Sequence, residues 1–500
     1  MNNNIENPFS DYGNIVRGDR FIGRKENLRV IENRILRPKD SGNLAIIGEP
    51  RIGKSSLVYK AVIEKKDELI NKKLFPIWIN LGTYDKPAIF FRSLVTLCHD
   101  ELEGLNFLTD PIRKAAEKAF EDELSWSEGY SRIQRFFEQL KKAGYRILII
   151  LDEFDHARNL FKGDMSAFQG LRELSYRPEW RVTFITTSRR SIRDIELQTG
   201  AISTFDGIFH KHYLSMFQDS ELQEYFNRFL TVGIPLNDLS RERVLFFCGG
   251  HPFLCEMLGY EVVENYRESK KVNINAAAHN ISQSFLDQYD RMVSLLQEDN
   301  SLNKLLQILF GPVVDVKQTD VDEFLKYGLI KTYQNSYAAF SEHFQIFLSL
   351  VQRDIALWPL WSQVEKKLRQ IITTKMIEEY GETWIKKLED THPEKIKPIF
   401  DRCREFQQKE ENSFGSRASK NLIDFTYPQD LFALINSKWK NIFHSIFKKD
   451  VTYWQQRFQL LGKIRNPLAH NRDDVLQDYE RQIAEGYCKE ILANLENHEP

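Results

Sequence analysis

The pattern of apolar and polar positions divides the chain into a mixed α/β part and an all-helical part. In the first part, short apolar runs alternate with longer amphipathic stretches. Runs that are apolar without alternation are typical of strands covered on both faces of a parallel sheet. The pattern predicts a helix over residues 54–65 and five strands, at residues 44–48, 75–81, 147–151, 182–187 and 213–216. We therefore expect a parallel α/β sheet within residues 1–218.

Helical patterns replace the strands beyond residue 218. We predict a helical lid over residues 219–297 and then a module over residues 298–353, in which short helices flank a hairpin at residues 328–340. This order resembles a winged helix, which either contacts nucleic acid or a partner or packs as a spacer between two active domains.

Residues 354–500 are predicted to form a helical bundle, because two apolar stripes have helical spacing. The stripes are Trp358, Trp361, Val364, Leu368, Ile371 and Ile372, and Trp439, Ile442, Phe443, Ile446 and Phe447.

Composition narrows the class of protein. A length of 500 residues predicts about three domains. The 69 Lys and Arg residues against 71 Asp and Glu residues leave a net charge of −2, which excludes a basic coat protein but allows a local basic groove.

Five scattered cysteines without C-x-x-C spacing argue against a disulfide framework or a zinc site, and indicate buried thiols in a reducing compartment. Without a signal-peptide pattern or a membrane-length apolar run, we expect a cytoplasmic protein with no membrane partner.

A phosphate-binding motif joins the first predicted strand to its helix. Residues 48–55 (GEPRIGKS) match G-x-x-x-x-G-K-S/T. Glycines let the backbone N–H groups wrap phosphates, while Lys54 is expected to reach the β- and γ-phosphates and Ser55 to bind Mg²⁺. The candidate nucleotide-binding residues of this loop are Gly48, Arg51, Gly53, Lys54, Ser55 and Ser56.

A second motif, which is acidic, follows the third predicted strand. The segment at residues 146–155 (RILIILDEFD) places two carboxylates at the carboxyl edge of the sheet, where α/β proteins bind ligands. We expect Asp152 to hold Mg²⁺ through water and Glu153 to orient or deprotonate the attacking water. The sequence therefore predicts ATP and Mg²⁺ as cofactors.

Together with these motifs, three short elements make residues 8–350 similar to the signal-transduction ATPases with numerous domains (STAND) of the AAA+ superfamily. They are residues 21–24 (FIGR) with Glu26, residues 187–189 (TSR) and residues 250–252 (GHP). The resemblance implies that Gly23 and Arg24 lie near the adenine, that Thr187 or Ser188 senses the γ-phosphate in a sensor region that includes Arg189, and that Pro252 packs on the base. His251 could instead be an ordinary helix cap.

The resemblance to STAND proteins also implies a switch, in which ATP holds lid and core together and its exchange or hydrolysis releases an effector. An arginine finger is not assigned. Arg189 and Arg190 are candidates, in cis or in trans, but adjacent arginines are also common on surface loops.

The C-terminal region contains a second candidate site. Residues 465–470 (RNPLAH) place Arg465 and His470 with four residues between them, and in isolation such a pair would be structural. Together with the run from residue 439, however, they make residues 355–497 similar to HEPN nucleases, whose mark is R-x4-6-H. The resemblance implies that Arg465 and His470 are catalytic, that Asn466 has a positioning role, and that two domains pair to form the groove, so at least a dimer is expected.

The residue types suit metal-independent RNA cleavage. The 2′-OH of RNA is the nucleophile, a histidine can transfer its proton, and an arginine can stabilise the phosphorane-like transition state. Lysines and arginines crowd residues 438–472, where they form either an RNA contact or a solvated face. Glu365 and Arg369, four residues apart on one helix, are either part of this site or a structural pair.

These observations lead to the hypothesis of an ATP-regulated endoribonuclease, with tRNA as a candidate substrate, an unknown trigger, and a role in antiphage or other conflict defence. The alternative is an ATP-dependent switch whose C-terminal domain is a non-catalytic binding or oligomerisation module. A DNA-dependent ATPase acting through the winged helix is disfavoured, because residues 320–326 (DVDEFLK) are acidic.

Overall fold

The computed structural model describes residues 6–121, 125–200, 204–311, 316–334, 336–469 and 478–496. The chain divides into two compact units, Met1–Phe347 and Leu348–Pro500. We call them the N-terminal unit and the C-terminal unit.

A five-stranded parallel sheet forms the centre of the N-terminal unit. Its strands are β1 (Asn43–Ile47), β2 (Leu74–Asn80), β3 (Arg146–Asp152), β4 (Thr183–Ser188) and β5 (Phe209–Tyr213), in the order β2-β3-β4-β1-β5. Every residue of β1 and β4 is buried, as expected for central strands with continuous apolar runs. The predicted parallel α/β fold is confirmed.

The fifth strand lies earlier in the chain than predicted. It spans Phe209–Tyr213 rather than residues 213–216 and pairs only with β1, so it is an edge strand. Its His210, Lys211 and His212 are only half-buried, and no apolar run marks it. The apolar residues 214–216 that suggested a strand follow its end.

Helices surround the sheet and connect its strands. Among the packed pairs, α3 and α4 contact β2 and α6 contacts β3. The predicted helix after the phosphate-binding motif consists of α2 followed by a π-helical turn at Tyr59–Ile63. The helices of this part are α1 (Lys25–Ile31), α2 (Lys54–Val58), α3 (Lys66–Asn71), α4 (Pro87–Gly104), α5 (Asp110–Ala119), α6 (Trp126–Lys142), α7 (Ala157–Leu160), α8 (Met165–Tyr176) and α9 (Ile192–Thr199).

The rest of the N-terminal unit is mainly helical. The helices after β5 are α10 (Asp219–Thr231), α11 (Asp238–Cys248), α12 (Pro252–Ser269), α13 (Ile274–Asn280) and α14 (Ser282–Glu298). Then come α15 (Leu302–Phe310), α16 (Gln318–Tyr327), an antiparallel hairpin of β6 (Ile330–Tyr333) and β7 (Ser336–Ala339), and α17 (Glu342–Tyr380). These elements have the predicted order, and their assignment as a winged helix stays a prediction.

The C-terminal unit is a helical bundle around its own apolar core. After the C-terminal part of α17, its helices are α18 (Trp384–Thr391), α19 (Lys397–Phe414), α20 (Pro428–Ser437), α21 (His444–Phe447), α22 (Val451–Ala469) and α23 (Asp478–Glu496). Both predicted stripes lie in this core, apart from Ile442, which is partly buried, and Trp358, whose side chain is outside the described residues.

The expectation of buried thiols is met within the described residues. All five cysteines are buried free thiols. No helix in the described ranges is both long and apolar enough to span a bilayer.

Two glycines shape the turn between α11 and α12. Both have positive φ, +53° at Gly249 and +82° at Gly250. A Cβ on Gly249 would lie 2.1 Å from the carbonyl oxygen of Phe340, and one on Gly250 would lie 2.9 Å from that of Phe217. The turn therefore requires glycine both for its backbone conformation and for its close packing.

We predict that Gly249→Ala destabilises the N-terminal unit by about 2–4 kcal/mol, because it combines left-handed strain with a backbone clash. Denaturant unfolding followed by circular dichroism would measure the change. Gly104→Ala is the matched control, since Gly104 has ordinary φ and open space around its Cβ position. Equal stability of the two variants would contradict the prediction.

Candidate functional site

The loop between β1 and α2 has the geometry of a phosphate-binding turn. The Gly48 N–H donates to the Ser188 carbonyl oxygen at 3.1 Å, and a Cβ on Gly48 would lie 2.4 Å from the Leu214 carbonyl oxygen. Only glycine fits between these strand ends. Arg51 (φ +62°) and Gly53 (φ +95°) then turn the backbone into α2. Such turns form concave sets of N–H groups that bind anions.

Lys54 lies across this loop. Its Nζ donates to the carbonyl oxygens of Gly48 at 2.7 Å and Glu49 at 2.9 Å. Burial lowers the pKa of Lys54, although Asp155, Glu49 and Asp152 oppose the shift. A phosphate beside Nζ would favour the charged ammonium, so this lysine fits the predicted phosphate-binding role.

The hydroxyls of Ser55 and Thr187 both form hydrogen bonds with one oxygen of Asp152. The Ser55 Oγ donates to Asp152 Oδ1 at 2.9 Å, and the Thr187 Oγ1 donates to the same atom. Mg²⁺ prefers such oxygen ligands and takes most of its remaining ones from water and phosphates. Ser55 and Asp152 therefore fit the predicted Mg²⁺ site. No cluster of three or more His, Cys, Asp or Glu side chains that could hold a metal ion occurs in the described residues, here or elsewhere.

Glu153 faces the same site from the end of β3. Its φ of +54° turns the chain sharply, and its N–H donates to Thr187 Oγ1 at 3.2 Å. The exposed carboxylate lies 3.8 Å from Nε2 of His156. This position at the rim of the site is suitable for a group that orients or deprotonates water.

A cavity of about 550 Å³, which we call the P-loop cavity, opens beside these groups. Its volume is in the range of small-molecule and cofactor sites. Of the predicted nucleotide-site residues, it brings together Arg51, Gly53, Lys54, Ser55, Ser56, Asp152, Glu153, Thr187, Arg189 and Pro252.

An aromatic wall, which the sequence analysis missed, bounds the P-loop cavity. The Arg51 guanidinium lies 4.3 Å from the ring centroid of Phe253, and the rings of Tyr12 and Phe253 are 6.2 Å apart. Aromatic rings suit a purine base. The position of Phe253 directly after the GHP element was a usable signal, whereas nothing in the sequence marks Tyr12. Arg291, exposed on α14, also borders this cavity and was missed.

Gly23 and Arg24 do not line the P-loop cavity, and neither does Gly48. The Gly23 N–H donates to Glu224 at 2.7 Å, and the Arg24 N–H donates to Glu221 at 2.7 Å, so both are held by α10. Burial lowers the pKa of Arg24 to about 10, while Glu221 opposes the shift. Their proximity to an adenine stays a prediction.

Pro252 and His251 begin α12. Pro252 occupies the first turn and borders the P-loop cavity. His251 is the N-cap residue of α12, as the capping interpretation expects, but its side chain makes no capping hydrogen bond and its buried ring lies 5.9 Å from that of Phe340. Burial lowers the pKa of His251 to about 3, which keeps the ring neutral near pH 7.

Arg189 and Arg190 are buried rather than exposed on a surface loop. Their backbone N–H groups donate to Asp155 at 2.6 and 3.1 Å. The Arg189 side chain donates to Asp299 Oδ2, and the Arg190 Nε donates to Asp299 Oδ1 at 2.9 Å. The surface-loop alternative is therefore wrong. Of the acidic partners, Asp155 ends the RILIILDEFD segment but was given no role, and no motif marks Asp299.

The second predicted site is only partly described. Arg465 and Asn466 belong to α22, but their side chains lie outside the described residues, as does the whole of His470. The roles of these three residues therefore stay predictions.

Several basic residues near this segment have acidic partners on α23. Lys449 Nζ lies 2.9 Å from Glu490 Oε1, and Arg457 Nε lies 2.8 Å from Glu490 Oε2. Burial would raise the pKa of Glu490, but hydrogen bonds from Tyr453, Arg457 and Lys449 hold it at about 2. The positive charge of residues 438–472 is therefore partly neutralised within the unit.

The Glu365–Arg369 pair has structural contacts. Arg369 Nη2 lies 3.4 Å from Glu365 Oε2 and donates to the Thr426 carbonyl oxygen at 2.9 Å. Since Glu365 is buried, these contacts favour the structural interpretation.

This chain is similar to several solved structures. The Walker-type ATPase paby2304 of Pyrococcus abyssi is 15% identical, with 67% of this chain and 97% of that chain covered and a TM-score of 0.41. Cdc6p of Pyrobaculum aerophilum is 13% identical, with 70% and 97% covered and a TM-score of 0.36. The Orc1 protein of Aeropyrum pernix, solved in complex with DNA, is 13% identical, with 67% and 94% covered and a TM-score of 0.36.

Two protein families match separate parts of the chain. No curated protein matches it. The AAA domain family matches residues 36–194, which contain both nucleotide motifs, and the Swt1-like HEPN family matches residues 361–488, which contain the R-x4-H motif. The chain therefore carries a P-loop ATPase domain of the AAA class followed by a C-terminal Swt1-like HEPN domain.

Proposed function

We propose that this protein is an ATP-regulated endoribonuclease, in which the N-terminal unit binds and hydrolyses ATP and the C-terminal unit cleaves RNA. The observation that carries the proposal is the presence in one chain of an assembled P-loop site and a HEPN domain whose matched segment includes Arg465 and His470. The STAND-like order of the elements around the P-loop supports a regulatory rather than a motor role for ATP.

The geometry of the P-loop cavity supports ATP hydrolysis. Lys54 and the backbone of the loop bind the β- and γ-phosphates, and Ser55 and Asp152 hold Mg²⁺, which when bound neutralises developing charge on the phosphates. Glu153 orients or deprotonates the attacking water from the rim of the cavity. Thr187, fixed by Asp152, lies where a side chain can respond to the terminal phosphate.

The proposed RNA chemistry needs no metal, because the substrate supplies the 2′-OH as nucleophile. His470 takes the proton from this hydroxyl or gives one to the leaving 5′-oxygen, and Arg465 stabilises the charged transition state. Asn466 positions these groups. The products carry a 2′,3′-cyclic phosphate and a 5′-hydroxyl, and tRNA is the candidate substrate.

Pairing of two C-terminal units forms the RNA groove in this proposal, so the active protein is at least a homodimer. An unknown trigger changes the nucleotide state and thereby the nuclease. We propose antiphage or similar conflict defence as the biological role, since RNA cleavage under ATP control stops growth.

We predict that Lys54→Ala weakens ATP binding by about 10- to 100-fold, because charge-assisted hydrogen bonds to phosphate are worth about 1.5–3 kcal/mol. Isothermal titration calorimetry with ATP and Mg²⁺ would measure the loss, and a thermal melt would verify folding. Lys65→Ala, at an exposed lysine shortly after the π-helical turn, is the matched control and should bind as the unaltered protein does. Unchanged affinity in Lys54→Ala would rule out its phosphate role.

We predict that His470→Ala lowers RNA cleavage by about 10²–10⁴-fold without changing ATP affinity, because it removes the proton-transfer group. A labelled tRNA pool, incubated with and without ATP, would report cleavage, and end analysis would identify the cyclic phosphate.

His444→Ala is the control for this experiment, because His444 is an exposed histidine of the same unit. It should retain full cleavage. Cleavage by His470→Ala at the unaltered rate would refute the catalytic assignment of His470.

A further inference from the structure

The carboxylate of Asp299 binds two adjacent arginines, of which Arg189 borders the P-loop cavity. Asp299 directly follows α14, and its N–H donates to the Leu295 carbonyl oxygen at 3.1 Å, which fixes its position. Its carboxylate pairs with Arg189 through Oδ2 and with Arg190 through Oδ1. Both arginines are less than a tenth exposed, so these pairs are shielded from solvent.

Arg189 contributes to the walls of two cavities. One is the P-loop cavity, which it shares with Lys54 and Thr187. The other, of about 380 Å³, is bordered by Asp299 and by Glu49 of the P-loop, and we call it the Asp299 cavity. The Arg189 side chain therefore lies between the position expected for the phosphates of ATP and the carboxylate of Asp299.

The backbone of Arg189 is fixed from two sides. Its N–H donates to Asp155 at 2.6 Å, and its carbonyl oxygen accepts a hydrogen bond from the Tyr327 hydroxyl of α16 at 2.8 Å. A change of partner at this residue therefore has to come from rotation of the side chain rather than from movement of β4.

The environment keeps the Arg189 guanidinium charged. Burial would lower its pKa, but Glu49, whose Oε1 lies 3.5 Å from Nε, and Asp299 outweigh burial and raise it. A guanidinium binds carboxylate and phosphate oxygens through the same pair of parallel N–H donors. Asp299 and a phosphate in the P-loop cavity are therefore alternative partners for one side chain.

We propose that Asp299 is a positioning residue that competes with the terminal phosphate of a bound nucleoside triphosphate for Arg189. A diphosphate leaves Arg189 paired with Asp299, whereas a triphosphate takes Arg189 and leaves Asp299 paired with Arg190 alone. Asp299 at the end of α14, and α16, which contacts Arg189 through Tyr327, therefore have different contacts in the diphosphate and triphosphate states. The inference rests on the proposed function only in placing ATP at the P-loop, and it does not depend on RNA cleavage.

The test compares nucleotide affinities in Asp299→Asn, which keeps the size of the side chain and removes its charge. Calorimetry on the full chain with Mg²⁺ would measure the non-hydrolysable analogue adenylyl-imidodiphosphate and ADP. We expect the analogue to bind about 5- to 10-fold more tightly and ADP to change less than twofold, a coupling in the usual range between linked sites. Asp299→Glu, which restores the charge, should return the affinity ratio toward that of the unaltered protein.

Asp287→Asn is the matched control, since Asp287 also lies on α14 and its carboxylate is exposed. That carboxylate accepts a local hydrogen bond from Gln283, one turn earlier on the same helix. It should leave both affinities unchanged. A purely structural role for Asp299 predicts equal weakening of both nucleotides, and this result, or an unchanged ratio, would overturn the proposal.

A measurement on the unaltered protein tests the same idea if Asp299→Asn does not fold. Hydrogen exchange of peptides covering residues 295–305 should be faster with the triphosphate analogue than with ADP. Equal exchange in the two states would overturn the proposal. Failure of the unaltered protein to bind either nucleotide would instead refute the proposed ATP site.

Discussion

The position of β1 between β4 and β5 is the constraint on which the nucleotide site depends. Parallel strands end at the same edge of a sheet, so the segments that follow β1, β3 and β4 must meet there. The register of β1 pairs Ile47 with Ser188 on one side and with Tyr213 on the other. Gly48 consequently enters the space between two strand ends, and the loop that follows has to turn back over the sheet.

Asp152 converts this shared edge into one connected site. Its Oδ1 accepts hydrogen bonds from Ser55 at the start of α2 and from Thr187 near the end of β4. A ligand that draws Ser55 away from Asp152 therefore also changes the surroundings of Thr187. Because β4 continues directly into Arg189, the contacts with Asp299 begin two residues after Thr187, whose hydroxyl donates to Asp152.

The sequence predicts the parts of this site that depend on local patterns. The P-loop, the buried strands and the Asp-Glu pair each have their signal within about ten residues, as expected for a turn joined to a strand or helix. The start of β5 lies four residues before the predicted start, because an edge strand needs no apolar run and the HKH segment of β5 is only half-buried. Tyr12 and Asp299 could not be predicted, since each reaches the site through contacts distant in sequence that follow no periodicity.

The burial of Arg189 and Arg190 limits how copies of this chain can share an ATP site. An arginine finger that acts in trans must project from the surface to reach a neighbour's phosphates. Both side chains are less than a tenth exposed and bound to Asp299, so in this conformation they serve their own chain. Positive charge at the P-loop cavity comes from Lys54, Arg51, Arg189 and Arg291 of the same chain. The side chains proposed to contact the nucleotide therefore belong to the N-terminal unit, whereas the proposed pairing of two chains concerns the C-terminal unit.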